Sequence, residues 1–175
     1  MMRIIAVLSA VMAAAVLEAC FLYALPWPFS ALRVTVMIVV GLIAGFRFGE
    51  GLAAAVLGGA ILDMLSPEPA GSHLVAMVVM AVLLNVLFTR VLTNVSWPSF
   101  IGINAAAFLI FRALFAVIRI TQDFFTASSV LTWPTAGDLT AFMAAMLLQV
   151  VMAALFQVAV RRVHIALRSS FFFAR

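Results

Sequence analysis

Three ionisable residues, Glu18, Asp63 and Arg112, stand inside long apolar runs. Two carboxylates brought together could act as an acid and base pair. A carboxylate beside a guanidinium could instead form a buried ion pair. Each charge could also reach the nearest interface alone. Spacing helps to choose. With segments beginning near Ile4, Glu50 and Ser99, each charge lies 13 or 14 residues in, about 20 Å from one boundary at ~1.5 Å per residue. The three therefore share a level. A lone charge at the centre of an apolar span costs ~2.5–3.5 kcal/mol, and pairing offsets that cost. Asp is too short to reach an interface well, whereas Arg is not. In LGGAILDMLSPEPAG, Asp63 also falls near the end of its segment, where a carboxylate opposes the helix macrodipole. Its reason must be tertiary, and the expectation is an inward cluster of Glu18, Asp63 and Arg112 in which Asp63 meets Arg112.

The other polar residues carry weaker expectations. Asn85 and Asn104 fall on consecutive segments and could bond across that hairpin. Gln149 and Gln157 share one face and suit bonds to neighbouring helices. His73 and His164 sit at segment ends, which suggests interfacial positions rather than ligation.

The elements that must position these groups are dictated by composition. The chain is 67% hydrophobic and 9% charged over 175 residues, with a mean hydropathy of +1.30. Soluble domains carry roughly 25% charged residues. The apolar runs are continuous rather than alternating, which excludes a barrel and calls for helices of ~20 residues. The expected fold class is an all-α, polytopic integral membrane protein, a single transmembrane domain over residues 1–175. About six spans are read: 4–25, 30–46, 50–65, 72–92, 99–120 and 138–160. Ser30 is a candidate N-cap of the second. The second and third are short, and could be a tight buried hairpin or partly re-entrant. MMRIIAVLSAVMAAAVLEAC has a basic start and an apolar core like a signal sequence, but Glu18 lies two residues before Cys20 and the apolar run continues beyond it. A retained first helix is expected.

All ten basic residues are Arg. With the N-terminus in the cytoplasm, the inner segments hold Arg3, Arg47, Arg90, Arg161, Arg162, Arg168 and Arg175, and the outer ones hold Arg33 and Arg119. Both termini are therefore expected in the cytoplasm. Trp27 and Trp133 then fall at the outer interface and Trp97 at the inner one. The outer loop Thr121 to Gly137, with Phe124, Phe125 and Trp133, should lie against the membrane or a partner. The tail from Arg168 is expected to lie on the inner leaflet or to be disordered. Small residues recur every four positions at Ala6, Ala10, Ala14, at Gly41, Gly45, Gly49, and at Gly51, Ala55, Gly59. Such faces let backbones approach closely, within the molecule or against a partner helix.

Several chemistries are excluded. One cysteine permits no internal disulfide and no CxxC motif. There is no phosphate-binding Gly loop with its Lys, no HExxH and no metal-ligand spacing. No catalytic, cofactor or metal residues are assigned, and no basic stretch has the interleaving of a nucleic-acid surface. An acid and base pair from Glu18 and Asp63 would lack the hydrophilic loop that an enzyme uses to hold substrate. A non-enzymatic role is expected.

The stretch from Leu25 to Arg90 resembles the MreD family of rod shape-determining membrane proteins. The family pattern is a Gly-rich segment, an Asp and a short turn ending in Gly, which Gly49, Gly51, Gly58, Asp63 and Gly71 fit. TRVLTNVSWPSF is similar to the inner loop of some divergent members. The resemblance implies a multi-pass, non-catalytic scaffold of the bacterial cytoplasmic membrane. It also implies a bitopic MreC-like partner, and through it the wall-synthesis enzymes, a SEDS glycosyltransferase and a class B penicillin-binding protein. The chain is also similar in architecture to the substrate-binding S components of energy-coupling factor vitamin transporters, whose first span carries an AxxxA pattern that Ala6, Ala10 and Ala14 fit. That resemblance implies a vitamin pocket built from groups such as Glu18, Arg33, Asp63, His73, Arg112 and Trp133.

The Arg asymmetry makes a direct prediction. A reporter active only outside the cytoplasm, fused after Arg175, should give no signal. A strong signal there would mean an odd number of crossings.

Overall fold

The computed structural model describes residues 2–27, 29–45, 47–66, 70–90, 97–125 and 136–172. All regular structure among them is helical: α1 (Met2–Cys20), α2 (Val34–Ala44), α3 (Phe48–Leu65), α4 (Ser72–Arg90), α5 (Trp97–Phe125) and α6 (Ala136–Phe172). Two 3₁₀ turns, Leu22–Ala24 and Phe29–Ala31, join α1 to α2. Five helices are long and apolar enough to cross a membrane, and α2 is a shorter apolar helix. The outward faces are themselves apolar. On α4 alone, Val75, Val79, Val82, Leu83 and Val86 are exposed.

The bundle is organised around α2 and α3. α3 packs against α1, α2 and α4, and α2 also touches α1, α4 and α5. α6 lies along α5. α2 is apolar all round, as a helix enclosed by others must be. Its Val36, Val39 and Val40 are fully buried, and they pack in one core with Val11, Leu62, Met77 and Phe111. Eleven residues give only ~16 Å of helix. α2 thus begins below the end of the bundle, and its first turn lies among protein side chains rather than in water.

Several boundaries differ from those read in the sequence. The second segment becomes helical only at Val34, with Ser30 in a 3₁₀ turn instead of at an N-cap. α6 continues through Arg168 to Phe172, so the tail up to there is helix. The loop expected over Thr121 to Gly137 is partly helical, since α5 runs to Phe125 and α6 starts at Ala136. Residues 126–135, including Trp133, lie outside the described residues, as do the side chains of Phe124, Phe125, Trp97 and His164.

The small-residue faces divide. Ala14, Gly51, Ala55 and Gly59 are buried, whereas Ala6, Ala10, Gly45 and Gly49 are exposed and Gly41 is half-buried. α1 turns Val11, Ala14, Ala15 and Glu18 inward, a helical spacing that rotates Ala6 and Ala10 out. The internal close packing falls instead on the adjacent pair Gly58 and Gly59. A Cβ on Gly59 would stand 2.6 Å from the Leu74 Cα of α4, and one on Gly58 would collide with the Thr35 methyl at the start of α2. One step of α3 thus admits the backbone of α4 at Gly59 and a side chain of α2 at Gly58.

Gly59→Ala should therefore destabilise the protein by ~1–3 kcal/mol, because the obstructing atom is backbone and cannot rotate away. Gly49→Ala, where a Cβ meets nothing within 4 Å, should be neutral or stabilising by up to ~1 kcal/mol. Thermal unfolding in detergent checks both. Equal effects would refute the close approach at Gly59.

Candidate functional site

A helix that begins among apolar side chains leaves its first N–H groups without water. Two such starts occur here, and each is held by a carboxylate from the helix before it. α4 starts at Ser72 after Gly71, whose φ is +88° and whose carbonyl accepts from Val75 N–H. Gly71 occupies the N-cap but has no side chain to cap with. Asp63, near the end of α3, does so from across the turn. Its Oδ1 accepts from His73 N–H at 2.9 Å and its Oδ2 from Leu74 N–H at 3.0 Å. The charge opposes the dipole of its own helix and complements that of α4. Gly59 makes this possible, because it lets the chain at Leu74 come close enough to be reached.

α2 is started in the same way. Glu18, fully buried on α1, accepts from both Thr35 N–H at 3.0 Å and Thr35 Oγ1–H at 2.9 Å through Oε2. Its Oε1 lies 3.2 Å from Arg33 Nη1. The irregular backbone at Arg33 is satisfied by α6. Arg33 N–H donates to Gln149 Oε1 at 3.0 Å, and Gln149 Nε2–H donates to the Arg33 carbonyl at 3.1 Å.

The two caps belong to one network. His73 Nδ1 lies 3.2 Å from Asp63 Oδ1, and His73 Nε2 lies 3.3 Å from the Tyr23 hydroxyl. An ionised Asp63 only accepts, so Nδ1 carries the proton. In the neutral ring Nε2 then accepts from Tyr23. Arg33 sits over the Tyr23 ring, 4.9 Å from its centroid, a cation–π geometry. The series Asp63, His73, Tyr23, Arg33, Glu18, Thr35 is thus continuous, and Phe115 and Phe111 of α5 close over His73 at 4.9 and 6.4 Å.

This arrangement corrects the expected cluster. Glu18 and Asp63 do join one polar network, but no ion pair links Asp63 to Arg112: the ring that Asp63 hydrogen-bonds is that of His73, and the ion-pair partner of Glu18 is Arg33. The physical reason is reach and supply. Asp is short, and unpaired N–H groups with a favourable dipole stand directly across the turn. Arg112 instead lies over the Phe108 ring, 5.4 Å from its centroid, with its Nε buried and unpartnered. His73 is fully buried rather than interfacial. Asn104 donates to the Phe100 carbonyl of its own helix at 3.0 Å instead of bonding Asn85. Arg33 and Tyr23 were not assigned to the cluster from sequence. A signal existed for the bases: in both turns an acid near the end of one helix is followed, past a proline, by a base at the next start, Glu18 with Arg33 and Asp63 with His73.

Beside the network, Arg33 and Arg112 line a hollow of about 550 Å³ with Tyr23, Trp27, Ser30 and Phe142. Such a volume suits a small ligand. Among the described residues, no group of three or more His, Cys, Asp or Glu could hold a metal ion.

Compared with known proteins, the chain matches no family model, no curated protein and no solved structure.

The two carboxylates should separate by mutation. Glu18→Ala strands Arg33 and the start of α2 and should cost ~3–5 kcal/mol, with Glu18→Gln costing less because an amide oxygen still accepts from Thr35. Asp63→Ala removes a cap and should cost ~1–2 kcal/mol. Combined with Arg112→Ala it should be additive within ~0.5 kcal/mol. A larger coupling in that double-mutant cycle would restore the Asp63–Arg112 pair.

Proposed function

We propose that this chain is a non-catalytic membrane scaffold of the cell-elongation machinery, akin to the MreD proteins. It would be a multi-pass protein of the bacterial cytoplasmic membrane, with both termini in the cytoplasm and an MreC-like bitopic protein as its partner. The observation that carries this reading is that residues bearing the resemblance share a structural task. Gly51 seats Ile43 of α2, and Gly58 seats Thr35 at the start of α2. Asp63 caps α4, and Gly71 turns the chain into it. Gly51 and Gly58 thus seat α2 while Asp63 and Gly71 start α4, which supports reading these residues of the pattern as one packing unit around α3. The partner face follows from the small residues that the fold does not use. Ala6 and Ala10 on α1, with Gly45 at the end of α2 and Gly49 in the first turn of α3, are exposed, where a partner helix could approach closely.

A second reading, a substrate-binding S component of a vitamin transporter, is favoured by the hollow at Arg33 and Arg112. Purification from the native membrane separates the two. A co-purifying coiled-coil bitopic protein, and rounded cells on depletion, support the scaffold. A bound vitamin or an ATPase pair, with normal cell shape and reduced uptake, would replace it with the transporter.

Ala10→Leu and Gly49→Leu test the partner face. Both positions are exposed, so folded yield should hold while recovery of the bitopic partner falls several-fold. Unchanged recovery with both variants would place the partner elsewhere.

A further inference from the structure

Arg33 and Arg112 face one hollow, and no acidic residue is among its described lining residues. Arg33 is 7% exposed, and its one ion-pair contact is from Nη1 to Glu18. Its Nε is buried with no partner, and so is the Nε of Arg112. Asp63 is committed to His73 and Leu74. The hollow wall therefore holds two guanidinium groups, each with a buried Nε–H donor that has no partner. A buried donor left unpaired is unfavourable, and an anion in the hollow would supply the acceptors and the negative charge that its described wall lacks.

A second hollow of about 520 Å³ shares Arg33, Arg112 and Phe142 with the first. It adds Arg119, then runs along Leu109, Ala113 and Ala116 on the outward face of α5. Charge thus lies next to an apolar track open to the surroundings of the bundle. Trp27 and Tyr23, on the first hollow, are amphipathic rings of the kind found at headgroup depth.

We propose that this double hollow is a binding site for a phosphate group, and that its apolar track assigns the phosphate to a lipid headgroup. A tetrahedral phosphate offers several oxygens, enough to accept from two guanidinium forks at once, and planar forks match them well. A carboxylate would satisfy one fork and leave the other. The headgroup then reaches Arg33 and Arg112 past the small residues Ala113 and Ala116, and an acyl chain continues along Leu109. The site is independent of the scaffold reading, since the proposed partner face is on α1, at the end of α2 and on the first turn of α3.

The test uses the full chain with Trp97→Phe and Trp133→Phe, leaving Trp27 as the reporter, in phosphatidylcholine nanodiscs. One arm raises the fraction of phosphatidylglycerol, and the other adds inorganic phosphate to discs of phosphatidylcholine alone. A saturable change in Trp27 emission with phosphatidylglycerol only is the expected result. Saturation with inorganic phosphate would keep the phosphate site but assign it a soluble source. Arg112→Gln should weaken the saturable response about ten-fold or more, the scale of a lost charged hydrogen bond. Arg112→Lys, which keeps the charge without the fork, should fall between. Arg90→Gln, at the exposed end of α4, removes the same charge away from the hollow and should leave the response unchanged. No saturable response in either arm overturns the site. So does an Arg112→Gln curve that overlays the parent, or an equal loss in Arg90→Gln. Helical circular dichroism and unfolding temperature confirm that each variant is folded.

Discussion

Everything at one end of this bundle depends on a shortage of water where backbone donors must be satisfied. A helix start in water is completed by solvent. One enclosed by apolar side chains needs a protein acceptor, and a missing one costs several kcal/mol. The chain has six acidic residues and uses two of them here. Glu18 holds the start of α2 and Asp63 the start of α4, each from the preceding long helix in its hairpin. Both thereby place a carboxylate at the positive end of another helix.

That constraint explains features that otherwise look unrelated. Gly58 and Gly59 are adjacent because one must admit Thr35, which binds Glu18, and the other Leu74, which binds Asp63. Gln149 is buried because the strand of backbone before α2 presents both a donor and an acceptor. His73 and Tyr23 bridge the two caps, so the turn after α1 and the hairpin of α3 and α4 are held in one register. A buried pair such as Glu18 and Arg33 adds little net stability over an apolar equivalent. Its value here is positional: it fixes where α2 begins.

The continuous apolar runs made the helical architecture legible, and α3 to α5 begin and end within a few residues of their sequence positions. Depth was legible as well, since counting residues along each segment placed Glu18 and Asp63 in one layer. Facing and partner choice were not. A depth count treats Arg112 as the nearest base and puts Arg33 in the first turn of the second span, at the outer boundary, because the late start of α2 at Val34 depends on Glu18 and Gln149, residues far from it in sequence. His73 looked interfacial for a similar reason, as a segment end reads as a membrane boundary. The extent of α6 was missed because its last turns are not apolar, although nothing in ArgSerSerPhePhePhe breaks a helix.

The polar network and the arginine-lined hollow beside it separate two jobs. The network is structural and satisfied except at Arg33 Nε, whereas the hollow retains donors for something else. The central claim is that carboxylates from α1 and α3 start α2 and α4. Residue-resolved amide hydrogen exchange in detergent micelles tests it most directly, comparing the parent with Asp63→Ala. The N–H groups of His73 and Leu74 should lose protection while that of Thr35, held by Glu18, keeps it. Unchanged protection at His73 and Leu74, or an equal loss at Thr35, would contradict the account.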